Sequence, residues 1–448
     1  MSPKAPGYPS RRRGAAVVIA AAIALAALPA TAAEPPPPPP TPSTPAGPPP
    51  LYPVRIDHDF ANPEASFREV VSLVREHYYT DAIDDASIWW AATRGLLRHL
   101  SPNEHPDLAT IWRPEQFEDV SDSLQGLRES IGIRSSFNPN DGSLTIGEVT
   151  PGGPSEGILQ PLDRILRIDG RPLKGLTVAA VTALLEGEPD TPVALTVVRD
   201  VQVLDLTVRR EKFHLQNVLA QEFPGGIGYL AIKAFSQGVS ERCREELARL
   251  TAQGCAGLIL DLRGNGGGVL QEGLRTAELF LPKGQSIMRV VSHGGKISNF
   301  VSAATTTVSL PLAVLVDKQT ASAAEILAAA LADDCGATLV GSPTYGKASM
   351  ERIFTLQNTY RVKFTTGAIY SPKGRSWHGR GLQPQVHSDL DSAALERSRA
   401  LPAPARLLQD PPLRAAHHVL VHGLATAAAG AAAPAPGPSA PSADDVDE

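Results

Sequence analysis

Apolar side chains recur at three- and four-residue spacing in two early stretches: Phe67, Val70, Val71 and Val74, then Ile88, Trp89, Ala92, Leu96, Leu97 and Leu100. That spacing predicts two amphipathic helices, whose apolar stripe must bury against another surface. Between 125 and 213 the texture changes to short alternating runs over 143–149, 164–168, 193–199 and 201–208, separated by Gly, Pro and Asp turns, with one helical segment over 178–186. This predicts a compact β-rich module of about ninety residues. From 227 onward, continuous apolar strands over 227–232, 258–262, 312–316 and 338–340 alternate with helices over 240–251, 269–280 and 322–332. The rhythm predicts α/β layers around a largely parallel sheet, with a site at the carboxyl ends of its strands.

Composition then bounds the class. The chain has 448 residues, 42% hydrophobic and 20% charged, enough for several domains with real cores. A net charge of -6, with no long Lys/Arg block after Arg13, points away from nucleic acid and from anionic membrane surfaces as partners. Arg11, Arg12 and Arg13 precede an apolar run over 14–28, then Pro29 and the small residues Ala30, Thr31, Ala32 and Ala33. This is the pattern of a secretory signal, shorter than a membrane span, so the expectation is an exported protein, periplasmic or secreted, and membrane-associated only if the signal is retained.

The organisation read from the chain is a signal peptide over 1–33, a Pro-rich linker over 34–55, a helical segment over 56–120, the β-rich module over 121–212, the α/β core over 213–395, and an Ala/Pro-rich tail over 396–448. The tail is expected to be largely disordered apart from a short helix over 413–425. Cys243, Cys255 and Cys335 show neither C-x-x-C spacing nor a His cluster, so no metal site and no disulfide scaffold is expected, although a Cys243–Cys255 bridge would suit an oxidising compartment. No organic cofactor is implied.

Two elbows carry candidate chemistry. In "LILDLRGNGGGVL", Gly264, Gly266, Gly267 and Gly268 close the turn after a buried strand. Such a turn can aim backbone N–H groups at a negative oxygen, or it can be a tight connection; the phosphate-binding glycine patterns are missing. In "LAVLVDKQTASAAEIL", Ser322 opens a helix directly after a strand. It is either a nucleophile with the next N–H groups as an oxyanion hole or a helix N-cap. Of the eleven histidines, His293, His378 and His387 fall in polar turns of the α/β part, which leaves a lysine as candidate base. Lys347 lies 25 residues after Ser322 in a Gly-flanked turn. It can act as a base only when desolvated; otherwise it is a solvated surface lysine.

The motifs "LDLRGNGGG", "TASAAEI", "YGKASM" and "TTGAIYSPKGRSWHGRGLQP", in this order over roughly residues 60 to 390, resemble the carboxyl-terminal processing peptidases, or tail-specific proteases. These are exported serine proteases with a Ser/Lys dyad at the same spacing. The resemblance implies a crotonase/ClpP-like layered α/β core with an inserted PDZ domain and an N-terminal helical segment. It implies Ser322 as nucleophile, Lys347 as general base, and the N–H groups of Ala323 and Gly267 as oxyanion donors. "SIGIRS" matches the loop and strand that capture a peptide carboxyl terminus, so Ile131, Gly132 and Ile133 are expected to take the substrate tail as an added strand. The stretch "PGGPSEGILQPLDRILRIDGRPL", with Asp163, Asp169 and Gly170, fits the same module but is about one residue short around Gly157.

Two positions depart from the family. Glu351 stands where Gln is usual, and Ala324 replaces a small polar residue. A carboxylate beside the lysine would favour the ammonium, opposing a base, and predicts an alkaline-shifted rate profile unless burial protonates Glu351 so that it mimics Gln. The expected function is hydrolysis of proteins with exposed apolar carboxyl termini, through an acyl-enzyme on Ser322. The second reading is a catalytically weak tail-binding scaffold. A crotonase-type acyl-CoA enzyme would share the layers but needs no Ser/Lys pair and is not usually exported. A homodimer through the N-terminal helices fits the resemblance.

Overall fold

The computed structural model describes residues 62–78, 84–101, 108–399 and 401–432, with side chains to residue 424. The signal and the Pro-rich linker lie outside the described residues.

A six-stranded sheet organises the core, in the order Val218–Phe223, Ile227–Ile232, Gly257–Asp261, Leu312–Val316, Thr338–Gly341 and Val386–His387. The first two strands form an antiparallel pair, and every later pairing is parallel. The three central strands are buried at every position, as expected when both faces of a parallel sheet are covered. Their side chains alternate between two cores. Leu230, Ile232, Leu258, Leu260, Val314 and Val316 pack with the helices Val239–Ala252, Leu270–Ala277 and Ala323–Asp334, whereas Tyr229, Ala231, Ile259, Ala313 and Leu315 face the other way. A second, five-stranded sheet built on Arg361–Tyr370 and Ser286–Ser292 contributes Ile287, Met288, Val290 and Ile369 to the first core.

The expected β-rich module is an antiparallel six-stranded sheet with one helix, Val178–Leu185, around its own core of Ile146, Ile165, Ile168, Val193, Leu195 and Val197. The chain enters and leaves it through one antiparallel pair, Leu127–Ser130 with Glu211–His214.

The expected short helix over 413–425 is present within Pro411–Ala432, but the segment before it is ordered as well: Ala403–Gln409 and the start of Pro411–Ala432 cover the second face of the main sheet, burying Leu413, Ala416 and Leu420. Alanine-rich composition misled because the segment is held by sparse leucines and by buried ions, Arg406 and Asp410, that no local pattern reveals. Near the other end, the helix Pro63–His77 buries no residue and Asp85–His99 only Leu97, leaving Phe67, Val70, Leu73, Trp89 and Leu96 exposed. The three cysteines are free thiols, so the Cys243–Cys255 bridge is not formed.

Two predictions follow from the second face. Leu413→Ala should cost about 2–5 kcal/mol in denaturant unfolding, the range for emptying a fully buried leucine site; a change below about 0.5 kcal/mol would mean the segment is only loosely apposed. Asp261 is wholly buried, and although burial pushes its carboxyl up, Arg263 and Arg399 with the Tyr229 hydroxyl hold it well below the usual carboxylate range. A depressed folded-state value stabilises above the unfolded carboxylate value of about 3.9 and is lost as pH falls below it. Urea midpoints between about pH 5 and pH 3 should therefore fall more steeply for the wild type than for Asp261→Asn.

Candidate active site

Ser322 is placed by the end of the strand Leu312–Val316 and a turn fixed by its own side chains. Asp317 accepts from the N–H groups of Gln319 and Thr320, and the Thr320 hydroxyl donates to the Leu262 carbonyl at 2.9 Å. The chain then reverses at Ser322 with φ 58° and ψ -119°, a region costly for a residue with a Cβ, before the helix Ala323–Asp334 begins. The hydroxyl is buried and makes no hydrogen bond, so it is not spent as a helix cap. The helix is capped from the other direction, by Glu325, whose carboxylate accepts the Ser322 N–H at 2.9 Å as in the return half of a capping box.

The same carboxylate holds the second element. Glu325 Oε2 also accepts the Lys347 N–H at 2.8 Å, while Oε1 accepts the Gly346 N–H at 2.8 Å and the Thr344 hydroxyl at 2.5 Å. Burial pushes the Glu325 carboxyl up, and these four donors oppose it. The turn is braced from behind by the loop 377–381: Gly379 N–H donates to the Gly346 carbonyl, and a Cβ on Gly346 would stand 2.9 Å from the Gly381 nitrogen. Ala348 N–H donates to His378 Nδ1 at 3.3 Å.

Lys347 is thus buried, 1% exposed, and its Nζ lies 2.9 Å from Glu351 Oε2. Oε2 accepts no hydrogen bond, while Oε1 accepts from the Ser349 hydroxyl at 2.6 Å. A bulge between Met350 and Glu351 in the strand Ser349–Thr355 sets the side-chain direction at this point.

The glycine loop closes the third side. Asn265 fastens it, donating to the Ile232 carbonyl at 2.8 Å and accepting the Ala321 N–H through its own carbonyl. Gly267, with φ 96°, touches the serine so closely that a Cβ there would be 2.8 Å from Ser322 Cβ. Its N–H donates to Asn265 Oδ1 at 2.8 Å rather than pointing free, which differs from the expectation for an oxyanion donor. Ala323 is the first residue of its helix, a position whose N–H has no intrahelical partner. Among the described residues no group of three His, Cys, Asp or Glu side chains is placed to hold a metal ion.

Residues 226–388 match Peptidase family S41, and residues 119–198 match the PDZ domain. The chain is 29% identical over 323 residues to "Carboxy-terminal processing protease CtpA" of Bacillus subtilis (strain 168), covering 72% of this chain and 68% of that one. It is 32% identical over 319 residues to the "Carboxyl-terminal-processing protease" of Synechocystis sp. (strain ATCC 27184 / PCC 6803 / Kazusa), covering 70% and 74%. The chain belongs to this family of serine-type carboxyl-terminal processing peptidases. A solved S41 protease structure from Bacteroides fragilis NCTC 9343 shares the fold, with TM-score 0.50, 17% identity, and coverage of 80% of this chain and 99% of that one.

In the peptidase, the PDZ strand Ile133–Asn138 is the edge of its sheet and pairs only with Ser143–Val149 among the described residues. Its other edge is open to an added strand. Gly132 sits at φ 74° in the turn before it. Ile131, expected to meet the substrate tail, instead buries its side chain in the PDZ core, so only its backbone can face a ligand; Ile133 packs partly on that core. Asp163 is held by Arg199 at 2.7 and 2.8 Å, and the same guanidinium donates to the Ile158 carbonyl at 2.9 Å, next to the shortened turn at Gly157.

Sequence reasoning missed Glu325, Asn265 and Thr344. The first had a readable signal, the Ser-x-x-Glu spacing of a capping box from Ser322 to Glu325. Glu325→Ala should cost about 3 kcal/mol or more in denaturant unfolding, because four buried donors lose their acceptor and each costs about 1–3 kcal/mol unmade. An unchanged midpoint would show that the two turns hold without it.

Proposed function

We propose that Ser322 and Lys347 are the nucleophile and general base of this peptidase. The observation that carries the reading is the Ser322 hydroxyl: buried, on a strained elbow, without a hydrogen bond, and tied through Glu325 to the turn that carries a buried lysine. In the reaction a neutral Lys347 amine takes the Ser322 proton as Oγ attacks the scissile carbonyl. The tetrahedral oxygen is met by the Ala323 N–H and by the Gly267 N–H, which exchanges Asn265 Oδ1 for the substrate oxygen. The ammonium then protonates the leaving amine, and water resolves the acyl-enzyme by the same route.

Glu351 makes the described geometry a resting one. Lys347 Nζ is ion-paired with the Glu351 carboxylate at 2.9 Å, and an ion-paired ammonium has no lone pair to accept a proton. The same contact favours the second reading, a weakly catalytic tail-binding scaffold.

The PDZ edge strand takes the carboxyl-terminal tail of a protein substrate as an added strand, with an apolar terminal side chain, and cleavage follows upstream. The protein is exported through its first 33 residues. The exposed apolar residues of the two N-terminal helices, including Phe67 and Trp89 with rings 6.3 Å apart, meet a second copy to form a homodimer.

The test is cleavage of an unstructured reporter protein with an apolar tail, from about pH 6 to about pH 10. Wild type should cleave and Ser322→Ala should not. Glu351→Gln keeps the shape, removes the charge that pairs with the Lys347 amine, and should raise the rate at a fixed pH. Tail binding without cleavage by either protein would establish the scaffold instead, and an unchanged rate in Glu351→Gln would show that the ion pair does not restrain the base.

A further inference from the structure

The loop 264–268 begins directly after Arg263, and Arg263 is gripped from the far side of the sheet by residues beyond the stretch that matches Peptidase family S41. Its guanidinium, 2% exposed, donates to both oxygens of Asp261 at 2.9 and 2.7 Å and to both oxygens of Asp410 at 2.8 and 2.9 Å. Its carbonyl accepts from Arg399 at 2.9 Å. Asp410 is itself fixed, accepting from the Ser398 hydroxyl and the Leu413 N–H. Arg406 donates to the Tyr229 hydroxyl, which donates in turn to Asp261.

We propose that the segments 392–399 and 401–413 form a strut for the glycine loop, in which Asp410 and Arg399 are positioning residues that keep Gly267 against Ser322 by clamping the side chain and the carbonyl of Arg263. Bidentate pairing on two sides leaves the guanidinium one orientation. Breaking such a buried pair is strongly disfavoured, so the residue that starts the loop cannot slide along the strand. Register matters here because the room between Gly267 and Ser322 is less than one methyl group. A shift of that size at a reacting centre is worth orders of magnitude in rate.

Two isolated changes test the strut in the full chain. Asp410→Asn keeps the shape and removes the charge that pairs with Arg263; Arg399→Met removes the donor to the Arg263 carbonyl and leaves Asp410 in place. Hydrogen exchange of the 264–268 amides should quicken about tenfold or more in both, while the PDZ strands exchange as in wild type. In the reporter assay, kcat per Ser322 labelled by a fluorophosphonate should fall about tenfold with KM within about twofold. The kcat arm rests on the Ser322 reading; the exchange arm does not. If wild type neither cleaves nor labels but the loop loosens in both variants, the strut stands and the catalytic reading fails. Unchanged loop exchange in both variants, or a lowered thermal midpoint with kcat per labelled serine unchanged, overturns the strut. Should Asp410→Asn fail to fold, Arg399→Met decides by the same outcomes.

Discussion

A single buried carboxylate, Glu325, is what makes two distant turns into one site. It accepts from the Ser322 backbone, at the start of a helix, and from the Gly346 and Lys347 backbones more than twenty residues later in the chain. A carboxylate without solvent costs several kcal/mol unless hydrogen bonds replace its hydration, and here four donors do so. The helix amino terminus adds its own positive potential at the same place. Every contact is to a backbone group or to Thr344, so Glu325 engages neither the Ser322 hydroxyl nor the Lys347 amine. One acceptor serves both turns and so holds them to a common point.

That coupling explains how the elbow tolerates its strain. A serine at φ 58° persists only where its surroundings over-determine it. Thr320 ties the approach to the neighbouring strand, Asp317 folds the turn and also accepts the Gly264 N–H, and Asn265 holds Ala321. The site is thus built backbone to backbone across three strand ends, and the glycine loop is a wall of it as much as a source of donors. The commitment of the Gly267 N–H to Asn265 and the ion pair of Lys347 with Glu351 belong to the same description. The Gly267 N–H and the Lys347 amine are both occupied internally.

What the sequence revealed and concealed divides by the range of the interaction. The parallel strands were legible because burial on both faces makes continuous apolar runs, and the PDZ strands because one-faced burial makes alternation. Ser322 and Lys347 were legible by the order and interval of their motifs. The second sheet was not: Ser286–Ser292 and Arg361–Tyr370 mix charges such as Arg289, Lys363 and Arg361 into strands whose partners lie far along the chain. The packing of the tail was hidden for the same reason, although its helix over 413–425 was legible. Its burial depends on Asp410 meeting Arg263 across 147 residues, and a charged residue in an alanine-rich stretch looks solvated until that partner is known. Ile131 failed differently, because a motif locates a loop without saying which atoms of it face outward.

The relation between the two functions of the chain, holding a tail and cutting a bond, turns on which polar links are strong. From the PDZ edge strand, Arg134 reaches Glu396 at 3.0 Å; Glu396 meets Arg399 at 3.2 Å; and Arg399 holds the Arg263 carbonyl beside the glycine loop. These contacts are unequal. The Arg134 pair is partly exposed, and such pairs are worth about 0–1 kcal/mol, whereas the Arg263–Asp410 pair is buried and its rupture costs about 3–5 kcal/mol. The exposed contact to the PDZ strand is therefore the weaker link, beside a second pair across the same boundary, Lys233 with Glu148 at 3.6 Å, and the clamp on the glycine loop is the stronger.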